Sequence, residues 1–383
     1  MQKLFNDENL KAVKQTVDTW IQNEVAPHYE AWEKAGIVPK ELWEKAGAQG
    51  LLCFTQDEKY GGLGVDFRYT AVLYHQVFAA GYAGVGVGLA THSDLVSGYI
   101  SHCGSEEQKL AWLPKMASGK TIGAIAMTEP GTGSDLSAIQ SKAELKDGKW
   151  IINGQKTFIT NGINADLVVV VVRTDVVPGK PHAGLSLVVV ERGAPGFSRG
   201  RQLKKIGLHS QDTAELIFEN CEVPEGNLLG KRGEAFRYLV RNLGVERLGI
   251  ALMSMAQARG AFEMTLKYIQ ERKAFNQTIA SFQNTRFKMA EMLTSLEIGD
   301  SFVEQCIEDF IAGKDITIKA SQAKLWASEQ GQNIIDACLQ LHGGYGYMEE
   351  YPIARLYRDC RVQRIYGGTS EIMKEVIARS LGI

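Results

Sequence analysis

Five segments of the 383-residue chain bring together groups that could do chemistry. In "AIAMTEPGTGSDL", Ala124 to Leu136, Gly131 and Gly133 leave backbone N–H groups bare while Thr128, Thr132 and Ser134 add hydroxyl donors. That set suits a phosphate or a polar heterocycle, although a plain turn has the same composition. The second segment puts an acid where an apolar residue belongs. Phe236, Leu239, Leu243, Ile250 and Met253 follow one helical stripe, and Glu246 fills the gap between Leu243 and Ile250. Either the helix changes phase at Gly244 and Glu246 pairs in solvent, or its carboxyl is partly buried, with a raised pKa suited to a general base near neutral pH. The third, "QERKAF" from Gln270 to Phe275 with Gln283 beyond it, carries an Arg-Lys pair that a solvated helix end would also explain. In the fourth, "LQLHGGYGYMEEYP", Gly343, Gly344 and Gly346 strip side chains from the backbone, as helix termination would. The fifth, "YGGTSE" from Tyr366 to Glu371, is either an ordinary turn or a place where backbone closes on something bound.

The elements that must hold these groups are readable in outline. Leu10, Val13, Val17 and Trp20 form one face of a helix ending before Pro27, and Pro39 suits the start of another. From about Ile122 to Pro224 come five of the nine prolines, the turn signals Asp147-Gly148 and Asn153-Gly154, and the short runs "WII", "LVVVVV" and "LSLVVV". These read as hairpin-connected strands. Residues 225–351 contain no proline and are rich in helix formers, which predicts long packed helices. The fold class is therefore α+β, mainly α: helices over 1–121, a β-barrel-like domain over 122–230 and a helical bundle over 231–383. The Gly84 to Gly88 run lacks G-x-G-x-x-G spacing and reads as close helix packing.

Composition narrows the functional classes. A net charge of -2 supplies no global field for nucleic acid or anionic lipid, and the longest aliphatic run is far short of a membrane span. Six scattered cysteines and seven scattered histidines suggest neither a disulfide framework nor a metal site. Lys3, Asp7, Glu8, Lys11 and Lys14 leave no apolar signal segment. The expected location is the cytoplasm, or the mitochondrial matrix for a processed chain.

In this order "AMTEPGTGSD", "NGQKTFITNG", "ERKAF", "LQLHGGYGY" and "YGGTSEIM" resemble the recurring motifs of the acyl-CoA dehydrogenase family over essentially the whole chain. "VERL", "QDTAEL" and "IYGGTSEIMKE" look most like its long-chain branch. The resemblance implies FAD as cofactor, a four-helix bundle as the C-terminal domain and a homotetramer. It implies that Ile125, Met127, Thr128, Gly133 and Ser134 lie along the flavin, with Ser134 also near the CoA portion. Phe158, Ile159 and Thr160 would cover the ring, although many relatives carry tryptophan at the first of these. Arg272, Phe275 and Gln283 from one subunit, and Gln340, Gly343 and Gly344 from the neighbouring part of a shared site, would hold the rest of FAD, with Thr369 and Glu371 also touching it. Many relatives have a catalytic glutamate where this chain has Gly367; the long-chain and isovaleryl branches place it in a Glu-Arg pair matching Glu246-Arg247. Glu246 is thus the expected α-proton base, with Arg247, Tyr366, Gly367 and Gly368 at the substrate and a backbone N–H of the turn at the thioester oxygen. The implied reaction turns a saturated acyl-CoA into trans-2-enoyl-CoA, with electrons passing to an electron-transfer flavoprotein. A branched-chain enzyme, an acyl-CoA oxidase and a non-catalytic flavin-binding protein are the alternatives.

Overall fold

The computed structural model describes residues 7–180 and 182–383; residues 1–6, with which the expected N-terminal domain begins, and Pro181 lie outside the described residues. Seven helices come first: α1 (Glu8–Trp20), α2 (Tyr29–Ala35), α3 (Lys40–Ala48), α4 (Phe67–Ala79), α5 (Ala83–Ala90), α6 (Ser97–Cys103) and α7 (Glu106–Ala117). Asp7 caps α1 by accepting from the Asn9 and Leu10 amides, and Leu10, Val17 and Trp20 are buried, which is the stripe the spacing predicts. The glycine run Gly84–Gly88 lies in α5, where a Cβ at Gly86 would come within 2.3 Å of the Phe78 ring. Close packing is its reason.

Eight strands follow: β1 (Gly123–Ala126), β2 (Lys142–Lys146), β3 (Lys149–Thr160), β4 (Leu167–Arg173), β5 (Leu185–Glu191), β6 (Phe197–Gln202), β7 (Thr213–Pro224) and β8 (Leu228–Leu229). They form one sheet in the order β6-β7-β3-β2-β4-β5-β8, with β1 paired parallel to β4. The continuous aliphatic runs have a structural cause. Along β4, Val168, Val170 and Val172 point into the core enclosed by the sheet, whereas Leu167, Val169 and Val171 join the core shared with the helices. A strand covered on both faces has no reason to alternate. Asp147 and Gly148, both at positive φ, make the β2–β3 hairpin turn as their sequence predicts. Asn153-Gly154 is not a turn. It lies inside β3 at a register shift, where Gly154 has φ +152° and a Cβ would sit 2.2 Å from Ser141 Oγ.

The proline-free stretch folds into α8 (Ala235–Glu271), a short hairpin of β9 (Lys273–Ala274) and β10 (Gln277–Thr278), then α9 (Gln283–Ile311) and α10 (Thr317–His342); α11 (Pro352–Cys360) and α12 (Ser370–Ser380) complete the chain. The 37-residue α8 is the spine, packing on α9 and α10 and, on its other side, on α4 of the first helical domain. Gly260 permits that last contact, since a Cβ there would lie 2.0 Å from the Ala79 carbonyl oxygen. At Gly244, on the same helix, a Cβ would meet nothing nearer than Ile316 Cγ1 at 3.5 Å. Gly260→Ala should therefore destabilise the fold by about 1–3 kcal/mol or more, while Gly244→Ala should be neutral or stabilise by up to about 1 kcal/mol. Denaturant titration of the two variants checks the contrast; equal effects would contradict it.

Candidate active site

Helix α8 runs unbroken through Gly244, so the phase change that would release Glu246 to solvent does not occur. Glu246 is half-buried, and its Oε2 is shielded with no hydrogen-bond partner among the described residues. Burial pushes its pKa up to about 7, with Arg247 and Lys324 pulling the other way. Above it lies the Gly367-Gly368 turn, with φ +63° and +97°. A Cβ on Gly367 would sit 3.6 Å from Glu246 Oε1 and 2.3 Å from Ile250 Cδ1, so the carboxylate faces bare backbone. The "YGGTSE" segment is thus a close approach as well as a turn, and a side chain at 367 would emerge beside the carboxylate it would duplicate.

Two buried cations hold this turn from below. Arg247 donates to the Gly367 carbonyl at 3.5 Å and to Ser321 Oγ at 3.0 Å, and Lys324, 0% exposed, donates to the Gly368 carbonyl at 2.6 Å. Burial lowers the Lys324 pKa to about 8, reinforced by Arg247 and opposed by Glu246. The Gly367 and Gly368 N–H groups make no hydrogen bond among the described residues. Thr369 then caps α12 by accepting from the Ile372 amide at 3.3 Å, and Glu371 stands exposed in the first turn. Tyr366 closes the other end, with a buried hydroxyl whose pKa is raised by burial.

A second patch gathers the loop after β1 and the end of β3. Ile125, Met127 and Thr128 are half-buried, and Gly133 and Ser134 are exposed. The Thr157 amide donates to the Thr128 carbonyl at 2.9 Å, and Lys156 Nζ reaches the Met127 carbonyl at 2.9 Å. Lys156 also forms a fully buried ion pair with Glu129 at 2.8 Å, and Glu129 accepts from the Gln140 and Ser141 amides. Beside this anchor a register shift in β3 turns Phe158 outward, 67% exposed at φ +59°, while Ile159 is buried and Thr160 half-buried. A large aromatic in left-handed conformation facing open ground is a strained arrangement of the kind functional sites keep.

A third patch lies at the other end of α8. Arg272 stacks over the Tyr345 ring at 5.2 Å, and Gly343 takes φ +60°, ψ −138°, open only to glycine. Arg272 and the Gly343-Gly344 loop are thus neighbours within this chain. Phe275 and Asn276, both at positive φ, form the tip of the β9–β10 hairpin, with Phe275 90% exposed. Gln283, which begins α9, and Gln340, near the end of α10, are both exposed. No hydrogen bond or ion pair among the described residues ties this patch to Glu246.

Lys324, Ser321 and the Glu129–Lys156 pair escape the sequence reading. The signal was the one that exposed Glu246. Lys324 shares its helix face with the buried Ala320, Ala323 and Ala327, and Lys156 falls in β3 on the inward side of Trp150 and Ile152.

Residues 7–120, 124–221 and 233–382 match the N-terminal, middle and C-terminal domain families of acyl-CoA dehydrogenase. The chain is 46% identical to the mitochondrial long-chain specific acyl-CoA dehydrogenase of Sus scrofa, over 100% of this chain and 88% of that protein. Among solved structures it resembles an acyl-CoA dehydrogenase from Geobacillus kaustophilus at 47% identity and TM-score 0.96, covering 98% of this chain and 99% of that one. It also resembles an acyl-CoA dehydrogenase complexed with FAD from Bacillus anthracis at 30% identity and TM-score 0.91, covering 98% and 67%. The exposed aromatics Phe158 and Phe275, and glycines 133, 343 and 344 with nothing within 4 Å of a Cβ, leave the flat and close ground such a cofactor needs. With all three domains matched in order, this chain belongs to the acyl-CoA dehydrogenase family, oxidoreductases whose cofactor is FAD.

Proposed function

We propose that this chain converts a saturated acyl-CoA to the trans-2-enoyl-CoA, with Glu246 removing the α-proton. The observation that carries the reading is Glu246 Oε1 lying 3.6 Å from where a side chain on Gly367 would start. A thioester acidifies its α C–H, yet deprotonation still needs a base of matched pKa and donors for the developing enolate oxygen. Burial supplies the first at Glu246. The turn supplies the second. In a trans peptide the C=O and the following N–H point opposite ways, so the grip of Arg247 on the Gly367 carbonyl turns the Gly368 N–H away from the cation and leaves it free. Arg247 thereby serves the substrate through the backbone.

FAD, when bound, supplies the two-electron acceptor for the β-hydrogen. Ile125, Met127, Thr128, Gly133, Ser134 and Phe158 to Thr160 would hold its ring side. Arg272, Phe275, Gln283, Gln340, Gly343 and Gly344 would hold its phosphates and far end, and Thr369 and Glu371 the remainder. Likeness to the long-chain enzyme supports a straight long-chain acyl group, hence a role in fatty acid β-oxidation. We further assign an electron-transfer flavoprotein as acceptor and a homotetramer as the working form; the near-complete exposure of Phe275 favours a partner surface there.

Anaerobic mixing with acyl-CoA tests the base. Glu246→Gln should keep bound FAD and ligand binding but slow flavin bleaching by about a hundred- to ten-thousandfold; near-normal bleaching would remove Glu246 from this role. Because burial raises the Glu246 pKa, the active carboxylate form gains as pH rises. The kcat/KM for bleaching should climb about tenfold per pH unit below about 7 and level off above it. A profile already level at pH 5 would contradict the assignment. Arg272→Ala should weaken FAD binding by about tenfold to a hundredfold, the worth of a charge-assisted hydrogen bond. Unchanged flavin content after dialysis would count against the assigned contact.

A further inference from the structure

One half-buried acid with a shielded carboxyl oxygen plays no part in the chemistry above. Asp94 lies in a π-type turn, Thr91–Val96, that leads into α6 and packs on α8. Its Oδ1 accepts from Thr70 Oγ1 at 3.5 Å, and its Oδ2 is buried with no partner among the described residues. No cation contributes to its electrostatics, and burial raises its pKa to about 7. A carboxyl desolvated without a counter-charge costs stability, so its presence asks for a reason.

The surroundings of Asp94 lead toward the Glu246 site through packed side chains, with local open space at Gly98. One turn past Asp94, Gly98 is buried, yet a Cβ there would meet nothing within 4 Å, so a space borders this face of the helix. One turn past Thr70 on α4 stands Tyr74, whose hydroxyl is also buried and unpartnered among the described residues. The Tyr74 ring lies 3.7 Å from the Cβ position of Gly249, and Gly249 is one turn along α8 from Glu246. Asp94 thus connects to the base by way of Thr70, Tyr74 and Gly249, across two packed helices, a path on the order of 10–20 Å that an extended chain spans in roughly eight to sixteen bonds at about 1.2 Å each.

We propose that this region is a distal subsite of the acyl cavity, in which Asp94, with Tyr74, binds a hydroxyl carried about eight or more bonds beyond the reacting carbons. The favoured substrates are then hydroxylated acyl-CoAs of medium length or longer. A hydroxyl both donates and accepts, so it pairs with the Asp94 carboxyl in either protonation state. An ammonium group would have to be desolvated as a full charge against a single acid. This assignment rests on the reading of Glu246 as base, because it places the acyl chain along α8 away from that residue.

The test compares decanoyl-CoA with ω-hydroxydecanoyl-CoA on the holoenzyme, the Asp94→Leu variant and the Asp94→Asn variant. Calorimetric Kd values for the two matching enoyl-CoA products accompany the kinetics. The ratio of kcat/KM for the hydroxylated over the plain substrate should fall about tenfold in Asp94→Leu, through KM and Kd rather than kcat, and be largely kept in Asp94→Asn. An unaltered ratio in Asp94→Leu, or a wild-type enzyme that rejects the hydroxylated chain tenfold, would overturn the subsite alone. Failure of every thioester, including butyryl-CoA, to bleach the flavin would overturn the Glu246 reading and the subsite with it.

Discussion

The site depends on a carboxyl that is largely desolvated and held out of any ion pair among the described residues. Glu246 has two cations close enough to temper its pKa, but Arg247 and Lys324 direct their N–H groups at the Gly367 and Gly368 carbonyls instead. Had either closed directly on Glu246, the acid would titrate well below neutrality and make a poor base. The same two bonds fix a turn whose positive φ values favour glycine and whose surface leaves no room for a side chain beside Ile250. Base, turn and cations thus form one unit, and each excludes alternatives for the others. With the acid supplied from α8, the glycine at 367 keeps the turn clear of Ile250 and of the carboxylate.

That unit must be held by large elements because its members come from three helices. Glu246 and Arg247 ride on α8, Ser321 and Lys324 on α10, and the turn is stopped by the Thr369 cap of α12. Helix α8 in turn is locked to the first domain at Gly260, where backbone meets backbone. The sheet adds a second fixed wall. Its β4 and β5 strands are buried on both faces, tying the enclosed core to the helical core, and the buried Lys156–Glu129 pair pins the loop of Met127 and Thr128 against β3. Breaking one partner of such a pair leaves an uncompensated charge and costs about 3–5 kcal/mol, so the loop is rigid for a reason beyond its own turns.

Much of this was legible in the sequence. The change from helical spacing to aliphatic runs and back marks the three regions, and the motif order carries the family. Glu246 was visible because a single acid breaks an apolar stripe. What stayed hidden depends on contacts between distant segments. Lys156 and Glu129 stand 27 residues apart and look unremarkable singly. Lys324 needs the knowledge that α10 turns its small-residue face to α8. Asn153-Gly154 misleads because a bulge needs the same backbone freedom as a turn, and only the pairing of β3 with β7 distinguishes them. The nearness of Arg272 to the Gly343 loop follows from α8 and α10 ending side by side, which spacing along the chain does not reveal.

The central claim is that burial alone holds the Glu246 carboxyl near neutrality in the folded protein. Infrared difference spectra of the protein between acid and alkaline pH, with Glu246→Gln as the reference, isolate the carboxyl C=O band of this one residue. The account predicts a band that titrates with a midpoint near 7. A midpoint near the ordinary carboxylate value of about 4.3, or no band distinguishing the two proteins, would contradict it.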